Sequence, residues 1–185
     1  MTAVQTDLNG INLGALVNLC ERIRSDPDAG RARFRAMTAW RGGTLSETRI
    51  DGWSLGSEHY PKHFVIVIDE PPAILGQDRA PNPQEYLLAA MNACILNTFV
   101  AVCSTMGVTL QSVILESTGV LDLRGFLGLD SSIPAGYRTI DYTIRVKGDG
   151  SPEQFRKAHE AMKATSPNFY NMAQSIALRS TLEVN

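Results

Sequence analysis

The chain has 185 residues, enough for one domain whose hydrophobic core needs neither disulfides nor metal ions. Its formal net charge of −2 gives no electrostatic reason to expect nucleic acid as a partner. The first ten residues, MTAVQTDLNG, lack the basic and apolar regions of a signal peptide, so we expect a cytoplasmic protein. The most apolar run, residues 89–103, contains two asparagines and is shorter than the ~20 apolar residues of a membrane span, so we expect no membrane partner.

The cysteines and histidines do not form a metal-binding pattern. Cys20, Cys94 and Cys103 include no CxxC pair and no Cys/His cluster with zinc spacing, and their odd number argues against a disulfide framework. His59 and His63 are four residues apart, but a proline between them opposes a helix that would present both. The sequence therefore predicts no bound metal.

The first predicted element is an amphipathic helix. Asn12 is a suitable N-cap, and the helix should end before Pro27 and Gly30. Its apolar positions share one face, which is expected to pack inward: Leu13, Leu16, Val17, Cys20 and Ile23. We therefore interpret Cys20 as a buried apolar thiol.

Three strands are predicted next. Residues 33–40 alternate in the strand period and end at a Gly-Gly turn, so residues 44–53 form the return strand of a hairpin. Residues 63–70 form a third strand, which Pro71 and Pro72 stop.

A long helix follows this sheet. Asn82 is its predicted N-cap, Pro83 its first residue, Glu85 the capping-box residue, and Gly107 follows its end. At ~1.5 Å per residue, its roughly 24 residues extend about 36 Å, more than one small sheet covers. Nearly every position is apolar or small, so we expect burial on all sides. Two copies that share this helix meet that need, and we predict a homodimer.

The remaining chain adds strands and one more helix. Strands are predicted at residues 109–123 and 137–148, and Ser151 with Gln154 forms a capping box that opens the second helix. That helix should point Phe155, Ala158, His159 and Met162 inward. Residues 176–185 alternate as a closing strand. The order of elements predicts an α+β domain in which mainly antiparallel sheet covers a central helix.

Cys94 on the long helix has two interpretations, a core residue or a nucleophile. It lies about three turns after the helix start, beyond the first turn, in which the helix dipole favours an anion. Cys103 is on the opposite face and about 13 Å further along the axis, so the two thiols cannot join within one helix. A reactive Cys94 needs a nearby guanidinium.

Three segments together resemble the OsmC/Ohr family, the osmotically induced and organic-hydroperoxide-resistance proteins. They are AWRGG after the first strand, APNPQEYLLAAMNACILNTF on the central helix, and SPNFYNMAQSIALRSTLEV near the end. The resemblance covers residues 31–185 as an OsmC-like domain and leaves residues 1–30 as an N-terminal helical extension. It implies sheets wrapped around long central helices in an intertwined homodimer, with the active site at the subunit interface.

The same resemblance implies site residues. In the family, a cysteine on the central helix attacks a hydroperoxide, and a second cysteine, followed by proline, forms a disulfide with it. Cys94 matches the first, whereas Ser166 stands where the second falls.

In the family, an arginine from the first hairpin and a glutamate at the start of the central helix activate the thiol. The arginine is Arg41 or Arg49, between which the sequence does not decide. The strict pattern puts the glutamate at Gln84, with Glu85 one position later. Glu85 also has the simpler interpretation of a capping-box residue.

The resemblance thus implies thiol-dependent reduction of hydroperoxides in oxidative-stress defence, with Cys94 as the single nucleophile. Organic substrates are favoured over hydrogen peroxide because Cys94 has apolar neighbours. No cofactor is implied, and an external thiol or dithiol would supply electrons. The alternative is a non-catalytic protein of the same fold that binds an apolar or electrophilic small molecule at the dimer interface. Ser166 favours the alternative, and Cys94 favours the reductase.

Overall fold

The computed structural model describes residues 7–184. Contacts divide the chain into two compact units, one up to Leu87 and one from Leu88 onward. Each unit combines helices with antiparallel strands, which confirms the predicted α+β class.

The first unit opens with a short hairpin and a helix. Strands β1 (Asp7–Leu8) and β2 (Ile11–Asn12) pair, and α1 (Leu13–Ser25) follows directly. The Asn12 side chain accepts a hydrogen bond from the amide of Ala15, as expected of the predicted N-cap. A 3₁₀ turn at Pro27–Gly30 ends this segment. The prediction that Cys20 is buried is wrong, because the apolar face of α1 is only partly covered and this thiol is exposed.

A four-stranded antiparallel sheet forms the rest of the first unit. Its strands are β3 (Ala32–Phe34), β4 (Met37–Trp40), β5 (Ser46–Leu55) and β6 (Glu58–Ile68). Strand β5 is central, with β6 on one side and β3 and β4 end to end on the other. The single strand predicted over residues 33–40 is therefore split at residues 35 and 36, which have no partner in β5.

The carboxylate of Asp69 ties the end of this sheet to the loop that follows. Asp69 is 0% exposed and accepts hydrogen bonds from Thr44 Oγ1 at 2.6 Å, Arg79 Nε at 2.8 Å and the Glu70 amide at 3.0 Å. Arg79 also forms its ion pair. The hydrogen bonds from Arg79 and Thr44 hold the pKa of Asp69 well below its usual range.

The long helix α2 (Pro83–Thr105) begins in the first unit and continues into the second. Both hydrogen bonds of the predicted capping box are present, from the Glu85 amide to Asn82 Oδ1 and from the Asn82 amide to Glu85 Oε2, each at 2.8 Å. Gly107 follows with φ of 72°, a left-handed conformation suited to the end of a helix.

The second unit adds two strands and three further helices to the part of α2 that it contains. After α2 come β7 (Leu110–Gly119), α3 (Leu123–Phe126), β8 (Ile140–Gly148), α4 (Pro152–Thr165) and α5 (Pro167–Ala173). Strands β7 and β8 pair antiparallel, and the predicted capping box of Ser151 and Gln154 opens α4. The short helices α3 and α5 were not predicted, because each is too brief to show a helical period.

One face of α2 provides the core of the second unit. Its buried side chains recur every four residues, and three others complete the buried cluster, which consists of Met91, Ile95, Phe99, Cys103, Val108, Ala158 and Met162. Much of the rest of α2 is half-buried or exposed, so a single chain does not bury the helix on all sides. Its length and a mean hydropathy of 1.8 would also fit a membrane span, but core helices of soluble proteins pass the same test.

The closing strand predicted over residues 176–185 is wrong for the described part of the chain. Residues 174–184 have no regular secondary structure and are exposed. A strand needs a neighbouring strand to satisfy its backbone, and the alternating pattern finds none here.

Replacing Asp69 with asparagine tests the carboxylate that ties the end of the sheet to the loop that follows. We expect Asp69→Asn to lower the melting temperature by several degrees, because Arg79 loses its charged partner and a buried polar group loses hydrogen bonds. The measurement is thermal denaturation followed by circular dichroism between pH 3 and 7.

The wild-type advantage should be complete above the usual carboxyl pKa of 3.8 and should decline as the pH falls below it, since the folded state lowers this pKa. Asp51→Asn is the control, because Asp51 is exposed. Equal effects of the two substitutions would contradict the structural role of Asp69.

Candidate functional site

The sulfur of Cys94 receives two hydrogen bonds. Cys94 is half-buried on α2, beside the buried Met91 and Ile95. Its Sγ accepts from Ser166 Oγ at 3.6 Å and from the amide of Asn168 at 3.5 Å. The predicted nucleophile therefore sits at the border of the core, with polar donors directed at its sulfur.

The junction between α4 and α5 positions both donors. Ser166 is 1% exposed, and its amide donates to Met162 O at 2.8 Å at the end of α4. It is also the N-cap of α5, but its hydroxyl accepts no capping bond and instead donates to Cys94. The Asn168 side chain donates from Nδ2 to Ala90 O at 2.9 Å, which holds the start of α5 against α2.

This arrangement places two hydrogen-bond donors within reach of the Cys94 sulfur. A hydroxyl and a backbone amide bind an anionic acceptor more strongly than a neutral one. The same donors can hold the oxygen-bearing sulfur of a sulfenic acid, which has further acceptor capacity. Cys103 is buried instead, and burial raises the pKa of its thiol and favours the protonated form.

The predicted arginines and Glu85 have partners of their own in the first unit. Arg41 Nε donates to Glu47 Oε2 at 2.8 Å, whereas Arg49 is 3.7 Å from Asp51. Glu85 makes the capping-box bonds described above. Among the described residues, neither arginine pairs with Glu85, so the expected glutamate–arginine contact is not formed within one chain. The role of Glu85 in the site stays a prediction.

Glu70 is a second carboxylate near the start of α2, which sequence reasoning missed. Its Oε2 is buried and has no hydrogen-bond partner within residues 7–184. Burial raises the pKa of Glu70, the hydrogen bond with Asn82 lowers it, and the charges of Asp69 and Glu85 raise it further. Such an acceptor is satisfied by a proton or by an added donor, such as a guanidinium.

Asn168 is the other residue that sequence reasoning missed. The signal was present, because Ser-Pro-Asn after the end of α4 is a typical helix start, with proline at the first position. What the pattern does not reveal is that the new amide donor faces a cysteine 74 residues earlier. In the part of the chain that the structure describes, no group of His, Cys, Asp and Glu could hold a metal ion.

Substitution of Ser166 by cysteine tests the placement of this residue. Because its Oγ is 3.6 Å from Cys94 Sγ, we expect Ser166→Cys to form a disulfide with Cys94 on mild oxidation. Intact mass should fall by two hydrogens, and peptide mapping should join the two positions. Thr165→Cys is the matched control, since the Thr165 hydroxyl bonds to Ala161 O instead. A crosslink in the control but not in Ser166→Cys would refute the described junction.

Comparison with known proteins identifies the family. Residues 76–181, more than half of the chain, match the family described as OsmC-like protein. An OsmC-like protein from Mycoplasma pneumoniae has a similar structure, at 13% identity and a TM-score of 0.61, over 76% of this chain and 87% of that one.

A Psychrobacter arcticus 273-4 protein, provisionally assigned to osmotic stress induction and a detoxification response, is similar at 14% identity and a TM-score of 0.55, over 72% of this chain and 84% of that one. No curated protein sequence matches the chain. The fold, the matched segment and the central-helix motif agree: the chain belongs to the OsmC-like protein family.

Proposed function

We propose that this protein reduces organic hydroperoxides with Cys94 as its single nucleophile, in defence against oxidative stress. One observation carries the proposal: Ser166 Oγ and the Asn168 amide both donate to Cys94 Sγ. Donors in this position stabilise the thiolate that attacks and the oxidised sulfur that results. Membership of the OsmC-like family supports the same chemistry.

The first step forms an S–O bond and breaks the peroxide O–O bond. The Cys94 thiolate attacks the terminal oxygen of the hydroperoxide, so the sulfur is oxidised to a sulfenic acid. The organic part leaves as an alkoxide, which takes a proton from water and becomes an alcohol. Apolar neighbours such as Met91 and Ile95 favour organic over inorganic peroxide.

The second step needs a thiol from outside the chain, because Ser166 cannot form a disulfide. A thiol displaces water from the sulfenic acid and gives a mixed disulfide with Cys94. A second thiol, or the other thiol of a dithiol, then releases the Cys94 thiolate and an oxidised product. Without such a reductant, further peroxide converts the sulfenic acid to sulfinic acid. No metal or organic cofactor takes part.

An arginine and a glutamate complete the proposed site. Arg41 or Arg49 would favour the thiolate and the departing alkoxide, and Glu85 would orient that arginine. Arg49 forms the weaker ion pair of the two in the first unit. Its distance to the Asp51 carboxylate is 3.7 Å, whereas that from Arg41 to Glu47 is 2.8 Å. Rearrangement to a new partner therefore costs Arg49 less.

We also propose that the protein is a cytoplasmic homodimer. Among the described residues, all fully buried apolar side chains lie in the second unit, whereas the sheet of the first leaves Phe34, Trp40, Phe64 and Val65 exposed. The segment after α5 exposes apolar residues at alternate positions, namely Ile176, Leu178, Leu182 and Val184. Exposed apolar surface on this scale is typical of a protein interface. A second copy of the chain is the proposed partner.

Peroxide turnover tests the nucleophile. We expect the wild type to consume cumene hydroperoxide in the presence of a dithiol, and Cys94→Ser to fall to the rate without protein. Peroxide loss and intact mass are followed together, with a sulfenic acid trap. Cys20→Ser is the control, because Cys20 is an exposed thiol with no role in the site. Equal peroxide loss in Cys94→Ser would end the reductase proposal.

Loss of one hydrogen-bond donor to the Cys94 sulfur tests whether these donors assist the reaction. Ser166→Ala should slow the reaction of Cys94 with peroxide by about tenfold, the usual effect of losing one hydrogen bond to a charged group. Thr165→Ala should leave the rate unchanged. An unaltered rate in Ser166→Ala would show that its hydroxyl does not assist the sulfur.

The alternative function has one observation in its favour, the absence of a second cysteine at Ser166. In that case Cys94 would line a binding pocket for an apolar or electrophilic molecule without turnover. A Cys94 that stays reduced after exposure to peroxide would favour this alternative.

Light scattering tests the dimer. We expect about twice the chain mass of 20.2 kDa for the wild type. Leu178→Asp should shift the protein toward the monomer, since it puts a charge on the apolar side of the alternating segment. Arg179→Ala, one position along, should leave the mass unchanged. A wild-type protein that stays monomeric at micromolar concentration would contradict the proposal.

A further inference from the structure

A cavity of about 300 Å³ opens in the first unit where the edge of the sheet is interrupted. Strand β3 pairs with residues 53–55 of β5, and β4 pairs with residues 46–49. Residues 50–52 therefore have no strand partner on this side. Arg33 comes from β3 and Arg35 from the gap itself, whereas Arg49 comes from β5 and His59 from β6.

The cavity carries an excess of positive charge. The side chains of Arg33 and Arg35 form no hydrogen bond or ion pair with any residue in the range 7–184, and both residues are exposed. Arg49 has only the 3.7 Å contact with Asp51, which is the one carboxylate in the lining. Three guanidinium groups around one small space repel each other unless an anion joins them.

The cavity lining also contains apolar side chains. Trp53 lies in the lining beside Met37. Its ring stacks between Phe34 at 5.6 Å and Tyr60 at 4.9 Å, so three aromatic rings cross three strands side by side. A row of cross-strand aromatic pairs is rigid and adds stability to the sheet.

Gly52 keeps the cavity floor open for His59. A Cβ at Gly52 would lie 2.7 Å from His59 Cε1, closer than packed atoms approach. The absence of a side chain lets the His59 ring lie over the backbone at the gap. A further nitrogen donor is thereby held near the guanidinium groups.

We propose that this cavity binds a small organic anion, a carboxylate or phosphate ester on a compact apolar body. Arg33 and Arg35 would hold the oxygens, since guanidinium groups match carboxylate and phosphate geometry. Met37 and Trp53 would contact the apolar body. The volume is at the small end of ligand pockets, which suits a single-ring ligand. The net charge of −2 argues against a polyanion as the occupant.

Titration of the full-length protein with phenyl phosphate tests this site. The chain has two tryptophans, so Trp40→Phe leaves Trp53 as the fluorescent reporter. We expect saturable quenching of Trp53 that weakens with added salt. Arg35→Gln should weaken binding at least tenfold, as expected for the loss of a charged hydrogen bond. Benzoate in place of phenyl phosphate distinguishes a carboxylate ligand from a phosphate ligand.

Matched controls separate this site from general charge effects. Arg145→Gln removes an exposed arginine on β8 that pairs with Glu116, and it should leave the affinity unchanged. Circular dichroism confirms that Arg35→Gln is folded, which is expected because Arg35 is exposed. Absence of saturation, or equal weakening by Arg35→Gln and Arg145→Gln, would overturn the proposal. If inorganic phosphate bound with the same affinity as phenyl phosphate, the proposed contacts between the lining and an apolar ligand body would be wrong.

Discussion

One chain can bury only one face of α2, and much of the structure follows from that limit. The stripe from Met91 to Cys103 packs inward, while positions such as Ala93 remain exposed. A helix that is apolar all around gains stability when its remaining faces also leave water. The sheet of the first unit and the segment after α5 show the same excess of exposed apolar side chains. A second copy of the chain would cover all three apolar surfaces, namely the remaining faces of α2, the sheet of the first unit and the segment after α5. The dimer and the site therefore belong to one proposal.

The position of Cys94 follows from the same border between buried and exposed surface. A thiol within the stripe becomes inert, as the buried Cys103 illustrates through its raised pKa. Cys94 lies beside the stripe, where peroxide could reach it and where the start of α5 supplies two donors. Ser166 keeps the polar contact to the sulfur and removes the possibility of an internal disulfide. The proposed chemistry is therefore that of one thiol with an external reductant.

Some charged side chains of the first unit hold its structure together, whereas others are exposed at the proposed anion site. The buried Asp69 and its partner Arg79 close the loop before α2, and Glu47 engages Arg41 at short distance. The side chains of Arg33 and Arg35 have no such partner among residues 7–184. Exposed single ion pairs contribute little to stability, so unpaired arginines gathered at a strand gap are explained better by a ligand than by folding.

The sequence by itself determined the elements that local chemistry controls. Caps at Asn12, Asn82 and Ser151 fixed three helix starts, because each uses contacts within four residues. Strand periodicity located β5 and β8, and the motif around Cys94 identified the family. The strand gap at residues 35 and 36 was not predicted because it depends on distant partners, and the helices α3 and α5 were not predicted because they are too short to show a helical period.

Only the tertiary structure decided which polar groups meet the sulfur, which arginines stay unpaired, and that residues 174–184 find no strand partner. Those outcomes depend on contacts between residues far apart in the chain. Local sequence patterns do not encode such contacts, because the cap and strand preferences that they reflect act over a few residues at most.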